Sequence, residues 1–310
     1  MATRSRELKR RYSARAYKRN KDVQNIKRIS INVLAIITLI IVFILIRNVF
    51  FSSYQRVNPN VEDVKAFRIP HQNIEQLKLF ADSQGLDFPK ILALYSIENN
   101  FFPSKVLSST IIGVDKDFVA NLDTIKSRYR SRDIEPYRQM FSDIIDDIKY
   151  FPIPRGYDAE GEASYMYGDS WGAVRNYRGE HVHEGTDIMD RENIAGRIPI
   201  VSMTDGVISD IGWSELGGFR IGIVSPNDVY YYYAHFDRFA NGLTLDTSIR
   251  AGQILGYMGN SGYDKREGTK GKFPVHLHVG IMPNVKFSRG DTWINPYPYL
   301  RYIESSKVDY

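Results

Sequence analysis

The spacing of apolar and polar residues divides this chain of 310 residues into stretches of different character. Residues 31–46, INVLAIITLIIVFILI, carry no charge, and with their flanks they make an apolar run over residues 30–51. About 20 apolar residues suffice to cross a bilayer as a helix, so we expect one N-terminal transmembrane helix here. Residues 52–72 show no sustained apolar period and predict a linker.

Residues 73–150 follow a helical period and predict a small all-α region. We expect the first helix to begin at Asn73, a residue type that caps helices well, and to stop at Gly85. Asp87 is expected to cap a second helix. A third helix is expected over residues 133–150, where apolar side chains recur three and four positions apart.

Short apolar runs rich in β-branched and aromatic residues, separated by glycine, begin at about residue 151. Examples are IPIVSM, GVISDIGW, FRIGIVSP and VHLHVGIM. Runs of this length with turn signals between them are typical of antiparallel sheets. Residues 151–310 therefore predict a C-terminal all-β domain, and the whole chain predicts a membrane-anchored multidomain protein.

Period two within the predicted strands assigns side chains to faces of the sheet. In VHLHVG it places His276 and His278 together on one face. In YYYYAHFD it places Tyr231, Tyr233 and His235 together. A histidine pair in a strand is either a solvated polar face or part of a site, and the strand pattern by itself allows both interpretations.

Charge predicts the orientation of the chain. Eleven of the first 28 residues are Lys or Arg and two are acidic, whereas the rest of the chain is slightly acidic overall. Under the positive-inside rule, residues 1–29 form a cytoplasmic tail of a single-pass cell-membrane protein, and the remainder lies outside. A cleaved signal peptide is the alternative, but no small-residue cleavage site follows the apolar run. A nucleic-acid-binding tail is a further alternative that no other basic or aromatic pattern supports.

Composition narrows the candidate chemistry, because the chain contains no cysteine. Disulfides, thiol nucleophiles and Cys-ligated metals are excluded, so a metal would need His, Asp or Glu ligands. His183 and Asp187, in HVHEGTDIMD, lie either on one face of a helix or in a loop entering a strand. With one histidine of HLH they make the three-ligand set that catalytic zinc takes, leaving a fourth position open.

Five segments, in their order along the chain, resemble the lysostaphin-type, or LytM-like, zinc endopeptidases of bacterial cell walls. They are HEGTDI, GRIPIVSMTDGVI, YAHF, IRAGQILGYMGNSG and HLH, and the resemblance covers roughly residues 165–300. It implies a β-rich peptidase domain with an open groove. It also implies that His183, Asp187 and His278 bind Zn²⁺.

The same resemblance implies that His276 and His235 are catalytic, one taking a proton from water and the other stabilising the oxyanion or protonating the leaving amine. Which residue does which stays open. The chain departs from the family in the loop of residues 263–275, which is longer and more charged and forms either a groove rim or a solvated loop. The lead-in WGAVRNYRGEHV also differs, and its His181 is expected at the surface.

A second enzyme is suggested by ENNFFP, which resembles a segment of lytic transglycosylases in which Glu98 would be a general acid. The rest of that signature is missing downstream. We therefore expect Glu98 to be a solvated residue at a helix end and residues 73–150 to be a spacer or docking module.

Two functions remain as hypotheses. The first is a membrane-anchored zinc metalloendopeptidase that hydrolyses peptide bonds in peptidoglycan stem peptides or cross-bridges. The second is a non-catalytic extracytoplasmic scaffold or activator in cell-wall division or sporulation that uses the same fold. The expected partners are peptidoglycan, the bacterial membrane and proteins of division or sporulation, with no nucleic acid among them.

Overall fold

The structure is a computed structural model that describes residues 18, 19, 21, 24, 32–46, 54–103, 116–159, 162–176, 179–285 and 292–309. The chain forms two compact units, Met1–Gln55 and Arg56–Tyr310. Nearly all of the tail predicted over residues 1–29 lies outside the described residues.

Helix α1 of the first unit covers residues 32–46, and its apolar side chains are exposed. Among the helices of the described residues, none has both the length and the apolar character needed to cross a bilayer. Both ends of the predicted span, residues 30–51, lie outside the described part of the chain. The transmembrane helix therefore stays a prediction.

The second unit begins with a helical region that ends near residue 147. Its described helices, with one more near the C-terminus, are α2 (Val61–Ala66), α3 (His71–Gln84), α4 (Phe88–Glu98), α5 (Lys116–Ala120), α6 (Leu122–Arg128), α7 (Ser131–Asp147) and α8 (Tyr297–Tyr302). Asp87 caps α4 as predicted, accepting a hydrogen bond from the Lys90 backbone N–H at 3.2 Å. Gly85 ends α3 as predicted, with a φ of 61° that glycine adopts at little cost.

The predicted start of α3 is wrong by two residues. The helix begins at His71, directly after Pro70, so Asn73 lies inside the helix and does not cap it. The buried amide of Asn73 donates to the Tyr95 hydroxyl at 2.8 Å. A packing contact with α4 therefore explains this residue.

The interval predicted as a linker, residues 52–72, contains helix α2 and residues of the core. Phe67 is fully buried, and its ring centroid lies 5.1 Å from that of Phe141 and 5.0 Å from that of Tyr299. Ile69 is buried as well. A helix of six residues is too short to display an apolar period, which is why the pattern did not reveal α2.

The strands of the second unit confirm the predicted antiparallel sheet. They are β1 (Asp158–Ala159), β2 (Glu162–Ala163), β3 (Tyr165–Tyr167), β4 (Val174–Asn176), β5 (Glu180–Val182), β6 (Thr186–Asp190), β7 (Pro199–Val201), β8 (Gly206–Ser214), β9 (Gly218–Val224), β10 (Tyr230–Phe239), β11 (Ser248–Ile249), β12 (Ile254–Met258) and β13 (His276–Met282). The main sheet has nine strands in the order β11-β8-β9-β10-β13-β6-β3, and β12 joins β10 to β7. β1 pairs with β2 and β4 with β5 in two separate small sheets.

Helices and main sheet of the second unit share one hydrophobic core. Tyr231 of β10 is fully buried, and its hydroxyl donates to the Ile144 carbonyl of α7 at 3.4 Å. Asp147, the last residue of α7, accepts hydrogen bonds from the Ser225 hydroxyl at 2.5 Å and the Asn227 amide at 3.0 Å. The helical layer therefore covers one face of the sheet, and the opposite face is available for a site.

Candidate metal centre

Three polar side chains meet where β6 and β13 run side by side. The strand register pairs Asp187 directly with His278, and such cross-strand partners share one face of a sheet. His183 lies just before β6, and its backbone N–H donates to the Ala173 carbonyl at 2.9 Å. The segment HEGTD is therefore a loop entering a strand, which excludes the helical alternative.

The three facing atoms form a triangle with equal sides. His183 Nε2 lies 3.0 Å from Asp187 Oδ1 and 3.0 Å from His278 Nδ1, and the last two atoms are also 3.0 Å apart. Three ligands of a tetrahedral zinc ion, each about 2.0–2.1 Å from the metal, would lie about 3.3 Å from one another. The triangle is thus close in size to one face of a tetrahedral zinc site.

Proton counting in the triangle indicates a cation. His183 Nδ1 donates to the Ser170 carbonyl at 2.9 Å, so Nε2 of the neutral ring is an acceptor. Nε2 faces Asp187 Oδ1, which is also an acceptor when the carboxyl is ionised. His278 Nδ1 faces both His183 Nε2 and Asp187 Oδ1, and a proton on Nδ1 can be donated to only one of these two acceptors. Because two imidazoles and a carboxylate are a donor set that zinc accepts, the residues fit a zinc ion.

Asp187 is held in its ionised form. Burial by itself would raise the pKa of Asp187, but the close contacts with His183 and His278, and the positive charge that His278 and His276 carry when protonated, outweigh burial and hold the pKa well below its usual range. The second oxygen, Oδ2, accepts a hydrogen bond from Arg175 Nη2 at 2.5 Å. Arg175, in β4, therefore orients the carboxylate so that Oδ1 faces the triangle.

Gly185 makes room for the imidazole of His278. A Cβ atom at position 185 would lie 2.3 Å from Cε1 and 2.6 Å from Nε2 of His278, and 2.7 Å from the Val279 carbonyl oxygen. Carbon atoms in ordinary contact are about 3.5–4.0 Å apart. Any side chain at this position would displace the ring, so the glycine of HEGTD is a steric requirement of the triangle.

His276 and His235 lie beside the triangle, with ring centroids 4.6 Å apart. His276 Nδ1 donates to the Pro274 carbonyl at 2.8 Å, and His235 Nδ1 donates to the Ser261 carbonyl at 2.8 Å. These bonds leave Nε2 of each neutral ring as the proton acceptor, and His276 Nε2 lies 3.9 Å from Asp187 Oδ1. Burial lowers the pKa of both histidines, so both rings are neutral near pH 7.

His235 reaches this face through an irregularity in β10. The register shifts between Tyr233 and Phe236, and His235 has a φ of 67°. Period two predicted that His235 would share the face of Tyr231 and Tyr233, and this prediction is wrong, because those tyrosines are buried on the helical side. His235 instead packs against His276.

The departures from the family pattern also have places in the structure. The loop of residues 263–275 borders the groove: the Phe273 ring lies 4.8 Å from that of Tyr263, 4.8 Å from that of His235 and 5.1 Å from that of His276. His181 is exposed, as predicted, and lines the same groove. The loop therefore forms a wall of the groove through its aromatic residues.

Glu98 is occupied by structural contacts. Its two carboxylate oxygens accept from Arg128 Nη1 at 2.9 and 2.8 Å, and one also accepts from the Tyr129 hydroxyl at 2.5 Å. Burial, followed by the hydrogen bond to Glu98, raises the pKa of Tyr129 to about 12. These contacts tie the end of α4 to α6, so Glu98 is half-buried and paired and not the solvated residue that was expected.

Arg175 and the carbonyls of Ser170, Ser261 and Pro274 are parts of the site that sequence reasoning missed. Arg175 lies in the lead-in segment that differs from the family, so no motif marked it. Backbone carbonyls carry no sequence signal, because every residue has one. Only the fold shows which carbonyls orient the histidines.

Comparison with known proteins indicates the family of this chain. The model of peptidase family M23 matches residues 181–292. The L-Ala–D-Glu endopeptidase of Bacillus subtilis (strain 168) is 39% identical over 154 residues, 50% of this chain and 43% of that protein. Glycyl-glycine endopeptidase ALE-1 of Staphylococcus capitis is 32% identical over 105 residues, 33% of this chain and 26% of that protein.

A solved structure extends the likeness beyond the β domain. It is a LytM protein from Ruminococcus gnavus ATCC 29149, provisionally described as a glycyl-glycine endopeptidase. The similarity has a TM-score of 0.62 at 38% identity and covers 79% of this chain and 92% of that one. The chain therefore belongs to peptidase family M23, and the LytM-like resemblance is confirmed. The chain covers less than half the length of the curated relatives that it matches.

Proposed function

We propose that this protein is a zinc metalloendopeptidase that hydrolyses peptide bonds in the stem peptides or cross-bridges of peptidoglycan. One observation carries the proposal: acceptor atoms of His183, Asp187 and His278 converge at 3.0 Å, with the buried imidazoles of His276 and His235 beside them. A solvated polar strand face has no reason to bring acceptors together in this way. Two relatives are named for the bonds on which they act, L-Ala–D-Glu and glycyl-glycine, and these names support this substrate class.

The chemistry divides between the triangle and the two neighbouring histidines. A zinc ion held by the triangle would polarise the scissile carbonyl and lower the pKa of water to about 7. Nε2 of His276 or His235 takes the proton of the attacking water, which a neutral imidazole does well. The other ring, after taking a proton from solvent, stabilises the oxyanion or donates that proton to the leaving amine, and the first ring releases its proton to solvent. Arg175 keeps the Asp187 carboxylate oriented through its hydrogen bond to Oδ2.

The test uses the full-length chain in detergent, purified wall and mass spectrometry of the new termini. Wild-type protein should contain one equivalent of zinc and release peptides with a single kind of new N-terminus. His278→Ala should lose both zinc and cleavage, while Phe102→Ala, at an exposed position outside the groove, should keep both. Intact wall with fully zinc-loaded wild-type protein would reject the enzyme and favour the scaffold function.

We also propose that the chain is anchored in the bacterial membrane by one N-terminal helix, with the peptidase domain outside. The support is the uncharged run of residues 31–46 behind a strongly basic tail. A protease added to wall-less cells should remove residues 151–310 and spare the tail, as detected with antibodies to each end. Protection of the C-terminal domain would reverse the orientation and remove its access to the wall.

A further inference from the structure

A cluster of aromatic rings lies on the same face of the sheet as the metal centre, with its tryptophan edge-on to its two tyrosines. It consists of Tyr230, Tyr232 and Trp293, and we name it the aromatic platform. The Tyr230 and Tyr232 rings are stacked with centroids 6.3 Å apart, and the Trp293 ring lies 5.9 Å from each. All three side chains are partly exposed, so the platform is a surface of the groove and not part of the core.

Two glycines of neighbouring strands make room for the rings. The register places Gly222 of β9 and Gly280 of β13 on either side of Tyr232. A Cβ atom at Gly222 would come within 2.1 Å of the Tyr230 hydroxyl, and one at Gly280 within 2.8 Å of the six-membered ring of Trp293. The rings of Tyr230 and Trp293 therefore occupy space that side chains at Gly222 and Gly280 would fill, on the side of the sheet that carries the groove.

The platform continues the groove of the metal centre. The Tyr232 ring lies 5.9 Å from that of His278, and Tyr232 and Trp293 line the cavity that contains the triangle. On its other side the platform is bordered by an ion pair between Arg220 and Asp210. A ligand can therefore contact the platform, this charged border and the metal centre at once.

We propose that the aromatic platform binds sugar rings of the glycan strand to which the stem peptide is attached, an inference that rests on the proposed function. Pyranose rings have apolar C–H faces, which pack on the flat electron-rich faces of aromatic rings. Their hydroxyl groups need polar partners at the edge of the stack, which Arg220 and Asp210 provide. Continuity with the metal centre favours the glycan, because it is covalently joined to the proposed substrate.

The position of the platform restricts which bond is cleaved. An extended peptide advances about 3.3–3.6 Å per residue. Trp293 contacts Tyr232, and Tyr232 contacts His278, so the platform is only a few residues of extended chain from the triangle. A sugar on the platform therefore places a bond of the sugar-proximal part of the stem peptide at the metal centre, and not a bond of the cross-bridge.

Binding of peptide-free glycan tests the proposal directly. The zinc-loaded full-length chain in detergent is titrated with oligosaccharides of N-acetylglucosamine and N-acetylmuramic acid, followed by tryptophan fluorescence and saturation-transfer NMR. We expect saturable binding that Trp293→Leu weakens by about tenfold or more, because the aromatic face is lost. Trp293→Phe should retain binding, and Tyr230→Leu should weaken it as a second, independent variant. Phe102→Ala, an exposed aromatic outside the groove, is the matched control.

Absence of glycan binding by the wild-type chain overturns the proposal, and so does equal binding by Trp293→Leu with zinc content and circular dichroism unchanged. Trp293-dependent binding of the free stem peptide in place of the glycan also overturns it. Because a peptidase cannot cut a peptide-free glycan, the readout does not depend on cleavage. Wall cleavage without glycan binding would reject only the platform, and glycan binding without wall cleavage would reject only the proposed enzyme.

Discussion

Replacing Gly185 by Ala should empty the metal centre although glycine supplies no ligand. The added Cβ atom would lie 2.3 Å from Cε1 and 2.6 Å from Nε2 of His278. Relief of this clash to an ordinary contact of about 3.5 Å requires a displacement of about 1 Å. The backbone has little freedom to supply it, because the same Cβ atom would lie 2.7 Å from the Val279 carbonyl oxygen within the paired strand β13.

A displacement of this size exceeds what zinc tolerates. Metal–ligand distances in working sites agree with ideal values to within about 0.2 Å. Partners that only orient a ligand already change affinity by about 10- to 100-fold when mutated, so moving the ligand itself should cost at least about 100-fold. Forcing an extra methyl group into a packed site should in addition destabilise the fold by about 1–3 kcal/mol.

Competition with a graded series of chelators measures the zinc affinity of Gly185→Ala, and thermal melts measure its stability. Gly168→Ala is the matched control, because a Cβ atom at Gly168 meets nothing within 4 Å and its φ is not positive. Both variants should show the wild-type circular dichroism spectrum. Zinc affinity of Gly185→Ala within about threefold of the wild type would refute the steric reasoning, because a 1 Å displacement cannot be neutral.

Further variants separate the roles within the site. His278→Ala should abolish zinc binding, whereas His276→Ala should keep zinc and lower turnover by about 100- to 10,000-fold in single-turnover assays. Zinc lost with His276 but kept without His278 would reverse the assignment. Arg175→Met should weaken zinc retention by about 10- to 100-fold in chelator competition, and unchanged affinity would exclude it from the centre. Chelation should lower the melting temperature, because a ligand at about 100 times its Kd adds about 2.7 kcal/mol, and identical melting curves would contradict a folded-state site. Burial lowers the pKa of His235 in the folded state below the unfolded-state value of about 6.5. In metal-free protein the stability associated with neutral His235 is therefore fully present above about pH 6.5. As the pH falls below this value, the free energy of unfolding should decrease by up to about 1.4 kcal/mol per pH unit. His235→Asn should flatten this dependence in urea titrations, and an unchanged slope would assign it to other groups.

The face shared by His276 and His278 could be predicted because β13 is regular. Alternation depends only on backbone geometry, so it holds wherever a strand has no bulge. The register that sets His278 opposite Asp187 needs the pairing of two strands distant in sequence. Periodicity cannot supply such pairings. Residue chemistry indicated His183, Asp187 and one histidine of HLH as a ligand set, and the choice of His278 over His276 depended on the resemblance to a known family.

Period two failed for β10 because alternation is a local rule. A single residue in the left-handed region shifts every later side chain to the other face. His235 is such a residue, at a φ of 67°, and a β10 sequence of four tyrosines and an alanine before it contains no glycine or asparagine that would signal the change. Contacts elsewhere in the fold stabilise the bulge, and a strand pattern carries no information about those contacts.

The contacts that stabilise the bulge connect the buried side of β10 to the face of the sheet that carries the metal centre. Before the bulge, the buried Tyr233 hydroxyl accepts a hydrogen bond from the Met203 backbone N–H at 2.9 Å. At the bulge, the His235 backbone N–H donates to the Gly217 carbonyl at 2.9 Å and its ring donates to that of Ser261. Both faces of β10 are thus held at once, the buried face through Tyr233 and the site face through the contacts of His235. A helical region that buries Tyr231 and Tyr233 is therefore part of what positions the histidine, which argues against its being a detachable spacer.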